Sequence, residues 1–101
     1  MKDVVIEILS VNLNKDLAEK YGQPDLKVCP YHTVGQTMIS VFDEKPSEMC
    51  SGAWVALERY VFALSHGVTE FYGGIWMKNP GEVVLCCPDG LRPVIFKMSA
   101  K

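Results

Sequence analysis

Positive charge is thinly spread in this sequence. Arg59 and Arg92 are its only arginines, His32 and His66 its only histidines, and ten Lys and Arg stand against twelve Asp and Glu, a formal charge of −2. No basic stripe exists to neutralise a row of phosphates, which argues against a nucleic-acid partner. The same charge balance gives no attraction to an anionic membrane surface. Long apolar runs are also missing: none approaches the roughly 18 residues that a bilayer span requires. Near the start, Asp3 and Glu7 interrupt what a secretory leader would need as its apolar centre. The expected location is therefore the cytoplasm. There the four cysteines, Cys29, Cys50, Cys86 and Cys87, meet a reducing environment and are expected as free thiols. No paired C-x-x-C occurs, nor any glycine-rich strand–loop–helix context for a phosphate.

What is present is enough apolar material for one core. Hydrophobic residues make up 49% of the 101 residues, so the chain can offset its ordering entropy and fold as a single domain spanning 1–101.

The pattern predicts alternating elements. Val4 to Leu9 is β-branched and reads as a strand. Asn14 to Gly22 reads as a short helix, with Asn14 as cap and Gly22 as stop. Gln36 to Phe42 reads as a second strand. The clearest helix runs from about Glu48 to Ser65, with Ser47 as cap and Gly67 just past the end. It is apolar nearly all round: Trp54, Leu57, Val61 and Leu64 on one face, Val55 and Phe62 on another. A domain this small has difficulty covering such a helix alone, which leads to the expectation of a homo-oligomer. Phe71 to Lys78, Glu82 to Cys87 and Leu91 to Met98 read as three more strands. Pro88-Asp89-Gly90 is read as a hairpin turn in which Asp-Gly accepts positive φ, and Pro93 as the mark of an edge or bulge. The fold class that follows is α+β: an antiparallel sheet with a C-terminal β-meander, packed on one long apolar helix plus one short helix.

The segment Gly81-Glu82-Val83-Val84-Leu85-Cys86-Cys87-Pro88-Asp89-Gly90-Leu91-Arg92-Pro93-Val94-Ile95-Phe96-Lys97 resembles the end of a family of uncharacterised small prokaryotic proteins. That family carries Cys-Cys-x-Asp-Gly-Leu-Arg-Pro-Val-x-Phe-Lys there. Cys50-Ser51-Gly52-Ala53-Trp54-Val55 is similar to its helix start, and Cys29-Pro30 with a following glycine also fits. The resemblance spans nearly the whole chain. It implies a prokaryotic cytoplasmic protein and groups Cys29, Cys50 and Cys87 as one set. It implies no activity, and His32 matches nothing in the family's pattern.

Three constellations could carry chemistry. Cys29, Cys50 and Cys87, with His32 or Cys86 as a fourth ligand, could hold zinc or iron, since Cys29-x-x-His32 can place two ligands on one turn. Against this stands the reading of free cysteines as small buried hydrophobes. A thiol nucleophile is the second constellation. Cys50 near a helix N-terminus is its candidate and His32 its only available base, because His66 lies roughly 24 Å along the helix at 1.5 Å per residue. In a regular strand only one of Cys86 and Cys87 can face a given site. Cys87 is expected there and Cys86 in the core. The third is a small-ligand site at Asp89 and Arg92, against the plainer reading that this pair braces its own turn. Glu70 and Glu82 have no fixed separation in the sequence and form no argued acid/base pair. The functional expectation is non-catalytic binding of a metal ion or small ligand by clustered thiols. The alternatives are a small thiol-dependent enzyme, or a homo-oligomeric interaction module whose cysteines are structural only.

Overall fold

The computed structural model describes residues 1–101. The elements are strand β1 (Val4–Val11), helix α1 (Lys15–Tyr21), strand β2 (Thr37–Ser40), helix α2 (Ser51–Ser65), strand β3 (Glu82–Cys86) and strand β4 (Val94–Ala100), with a single 3₁₀ turn at Tyr72–Gly74. The four strands form one antiparallel sheet in the order β2-β1-β4-β3, so the fold is α+β as the pattern predicts. No helix is long and apolar enough to cross a membrane.

Alternation along each strand sets the layers, because successive side chains point to opposite faces. Val4, Ile6 and Ile8 on β1, Met38 on β2, Val83 on β3 and Val94, Phe96 and Met98 on β4 are buried. They meet Ala53, Leu57, Val61 and Leu64 of α2 in one core. The other face of the sheet is open. Lys97 at its centre bridges Glu7 at 3.5 Å and Glu82 at 3.8 Å.

Several boundaries differ from expectation for local reasons. Helix α2 begins at Ser51 with Cys50 as its N-cap, not at Glu48 with a Ser47 cap. The Ser47 hydroxyl donates to the Glu48 carboxylate at 2.9 Å instead of capping an amide, and Met49 N–H closes a separate turn onto Pro46 O. The backbone N–H of Glu48, with that hydroxyl, holds its carboxyl below the usual range. At the other end Gly67, at φ 94°, stops the helix as anticipated. Val68 N–H reaches back to Ala63 O and Gly67 N–H to Leu64 O.

The strand expected over Phe71–Lys78 does not form. Tyr72, Gly73 and Gly74 all have positive φ, at 53°, 67° and 80°, a run no strand can hold. The C-terminal meander is therefore reduced to the β3–β4 hairpin. Pro93 lies just before β4, and β4 is a central strand rather than an edge. The extra residue that distorts the sheet lies in β1, where pairing with β4 shifts between Ile8 and Ser10. Cys86 points to the open face and is exposed, not in the core, because β3 keeps the parity of buried Val83.

Candidate functional site

The six residues singled out in the sequence meet at one end of the molecule. Cys29, His32, Cys50, Cys87, Asp89 and Arg92 line a single open pocket of about 130 Å³ beside the first turn of α2. Tyr31, Gly52, Ala53, Pro88 and Val94 complete its wall. Three segments distant in sequence build it: the loop before β2, the start of α2, and the 87–93 loop between β3 and β4.

Backbone pairing carries each segment into place. Ile8 bonds both Gln36 and Gly35, Ile8 N–H to Gln36 O and Gly35 N–H to Ile8 O, extending the β1–β2 ladder back toward His32. The tight turn this needs is made by Gly35 at φ 89°. His32 is 95% buried by its neighbours, with 5% of its surface exposed, and its ring meets Phe96 edge-on at 5.6 Å. Its Nε2 accepts the backbone N–H of Cys50 at 3.3 Å. The ring proton therefore sits on Nδ1 and is donated to Gln36 Oε1 at 3.2 Å. A buried imidazole thus ties the Cys29–His32 loop to the N-cap of α2.

The opposite wall is braced by Asp89. Its Oδ1 accepts the backbone N–H of Leu91 at 2.9 Å and of Arg92 at 3.0 Å, and its Oδ2 accepts Arg92 Nε at 3.0 Å. The Arg92 backbone N–H, with that of Leu91 and the Arg92 side chain, holds the Asp89 carboxyl below its usual range. Neither Asp89 nor Gly90 takes positive φ, so the turn works as an Asx turn rather than through Asp-Gly permissiveness. Asp89 and Arg92 are both on the pocket wall and the brace of their own loop. Asn12 and Asn14 N–H groups, bonded to Pro93 O and Leu91 O, pin this loop to the chain after β1.

The thiols differ from one another. Cys87 accepts the Val94 N–H at 3.3 Å and packs against the core. Cys50 occupies the N-cap with no capping bond from its side chain. Cys29 is half-buried beside them. Cys86, outside the pocket, is the most exposed of the four, yet partial desolvation and the adjacent Cys87 hold its thiol above the usual range.

The metal arrangement expected from the spacing is not assembled. No group of three or more His, Cys, Asp or Glu side chains stands close enough to hold an ion. Both nitrogens of His32 are committed, Nε2 to an amide and Nδ1 to Gln36, so His32 offers no lone pair to zinc or iron. For the same reason it is not hydrogen-bonded to a sulfur as a base would be. Its role is to position the start of α2.

Gln36 and Gly52 were not visible as site residues from the sequence. Gln36 gives no signal, because its role exists only through the fold. Gly52 had one: a glycine in the first turn of an otherwise strong helix is costly unless a side chain is unwelcome there. A Cβ built on Gly52 would lie 3.7 Å from Cys50 Sγ, so any larger side chain would reach over that sulfur. No family model matches the chain, and neither a curated protein nor a solved structure is significantly similar to it.

Proposed function

We propose that this protein is a non-catalytic binding protein for a small ligand seated among Cys29, Cys50 and Cys87. The observation that carries this reading is the convergence of three thiols, from a loop, a helix cap and a strand end, on one open pocket. The pocket's 130 Å³ is close to a cavity of about 150 Å³ that holds a benzene-sized guest. The portion of a ligand that the pocket can hold is therefore about half a dozen non-hydrogen atoms. Asp89 and Arg92 neutralise each other across 3.0 Å, so the pocket offers soft sulfur and a compensated ion pair rather than a strong field. That suits a small polarisable or thiol-reactive molecule better than a highly charged one.

The test is the concentration dependence of iodoacetamide modification, read site by site by mass spectrometry on protein purified without oxygen. Binding before reaction makes the rate at the pocket thiols saturate, while Cys86 responds linearly. In Gly52→Val the saturation disappears with the fold intact. Linear rates at all four thiols, with no small species released on unfolding, would show that the cysteines are packing residues. One equivalent of zinc or iron, masking three thiols until removed, would replace the small molecule by a metal.

A further inference from the structure

Beside α2 the chain holds three consecutive residues in the left-handed region: Tyr72 at φ 53°, Gly73 at 67° and Gly74 at 80°. Glycine takes that region freely, but a tyrosine does so only under strain. Burial does not compensate, because Tyr72 is 65% exposed. What the conformation achieves is placement. It stands the Tyr72 ring edge-on to Trp76 at 5.2 Å and brings its hydroxyl 3.0 Å from that of Tyr60. Tyr60 in turn meets Phe71 at 5.3 Å and Trp76 at 6.4 Å. Strain of this kind, spent on presenting an exposed side chain, collects at ligand sites.

The rings border a cleft of about 420 Å³ lined by Arg59, Tyr60, Phe71 and Tyr72, within the size range of small-molecule sites. It shares no residue with the thiol pocket. Two polar features of this cleft are unspent. Arg59 is exposed and stands outside the chain's ion pairs, which are His66–Asp43, Arg92–Asp89, Lys97–Glu7 and Lys97–Glu82. The two phenols share one hydrogen bond, so whichever donates, the hydrogen of the other has no acceptor in the chain. The bond to Tyr72 and partial desolvation raise the Tyr60 phenol, and the Arg59 charge is near enough to work against that rise.

We propose that this cleft binds a small aromatic carboxylate, its ring against the tyrosine rings and its carboxylate on Arg59 and the free phenol hydrogen. A guanidinium and a spare O–H both favour an anionic acceptor, and the ring faces favour a planar aromatic body. A cationic guest, which bare rings alone would suit, is opposed by Arg59. A sugar would use the rings and leave the guanidinium without a counter-charge. The site is independent of whatever the thiol pocket binds.

Titration of isotope-labelled protein with 2-naphthoate, followed by NMR at the Trp76 indole and the Gly73 and Gly74 amides, tests this. The shifts saturate with a Kd of about 1 mM or below, the level expected for an acid of this size. Neutral 2-naphthamide, with the same rings, binds about tenfold more weakly for want of the charged contact. Arg59→Gln weakens 2-naphthoate about tenfold and leaves 2-naphthamide unaltered; the site is exposed, so the variant keeps the fold. Tyr72→Gly takes φ 53° without strain and weakens both compounds in a protein still folded by circular dichroism. No saturable shift at any soluble concentration overturns the proposal. So does equal affinity for acid and amide, and so does an Arg59→Gln variant that binds the acid as the parent does. Tighter binding of methyl glucoside than of 2-naphthoate also overturns it and makes the cleft a sugar site.

Discussion

Two regions lean on α2, and different forces build them. Near its N-terminus, the Cys29–His32 segment and the 87–93 loop are set by directional hydrogen bonds: His32 to the Cys50 amide, Asp89 to the amides of Leu91 and Arg92, Val94 to Cys87. Along its flank, the Phe71–Trp76 segment is set by rings. Phe71 lies 5.3 Å from Tyr60 and Trp76 lies 5.2 Å from Tyr72. Their one polar contact is hydroxyl to hydroxyl, Tyr60 to Tyr72 at 3.0 Å. Hydrogen bonds fix direction, so the first region can hold a shaped concavity with sulfur on its walls. Ring packing tolerates small rotations, and that region ends with Tyr72 and Ile75 largely in solvent.

The strongest way to break the comparison is to remove the support that both the core and the pocket share. Phe96 is fully buried and carries the His32 ring. Phe96→Ala is expected to cost about 3–5 kcal/mol by creating a cavity, measured by urea denaturation, and to release the pocket thiols to alkylation. An equal loss of stability with no change in thiol rates would separate His32 placement from the core.

His32→Ala is the next largest. It strands the Cys50 N–H, leaves Gln36 Oε1 with only the Thr33 N–H and vacates a buried ring, at an expected cost of about 2–3 kcal/mol. Alkylation of Cys29 and Cys50 should accelerate more than that of Cys87, whose sulfur is held from β4. Uniform acceleration would mean that the two walls move together.

Much of this was legible beforehand. The runs Val4 to Leu9 and Leu91 to Met98 read as the strands that are β1 and β4, and the spacing of Trp54, Leu57, Val61 and Leu64 groups the residues of α2 that pack on the core. Gly67 marked its end correctly. Positive φ at consecutive residues was not legible at Tyr72, where aromatic and β-branched neighbours imitate a strand until the paired glycines are given their full weight. Strand parity separates Cys86 from Cys87, but that only the Val83 side of the sheet is covered, by α2, is settled by the fold, and it leaves Cys86 exposed. His32 shows the deeper limit. Cys-x-x-His spacing is compatible with a metal ligand, yet a histidine's function depends on where both nitrogens point, and Cys50 and Gln36 reach them only through the fold.

Asp89→Ala addresses the wall of the 87–93 loop with a smaller effect, about 1 kcal/mol near neutral pH for the lost turn bonds. Because the folded carboxyl titrates below the unfolded one, its contribution is complete above about pH 4 and is lost as pH falls through the folded value. The variant should therefore approach the parent in stability as the medium is acidified, in urea midpoints followed from pH 7 to pH 3. A gap that stays constant through that range would mean the carboxylate contributes no titrating stabilisation.

The smallest effect belongs to the aromatic loop and sharpens the contrast from the other side. The hydrogen bond to Tyr72, with partial desolvation, raises the Tyr60 phenol above its usual range. For a phenol the neutral form is the favoured one, so this contribution is intact below about pH 10 and is lost as pH rises through the folded value. Tyr60→Phe keeps the ring contacts with Phe71 and Trp76 and removes only the hydroxyl pair, at an expected cost below about 1 kcal/mol. Its stability should match the parent's more closely at pH 11 than at pH 8, and the pocket thiols should alkylate at unchanged rates at both. Altered rates at Cys50 would show that α2 transmits strain from the ring-packed loop to the hydrogen-bonded one, and the two regions would then be one mechanical unit.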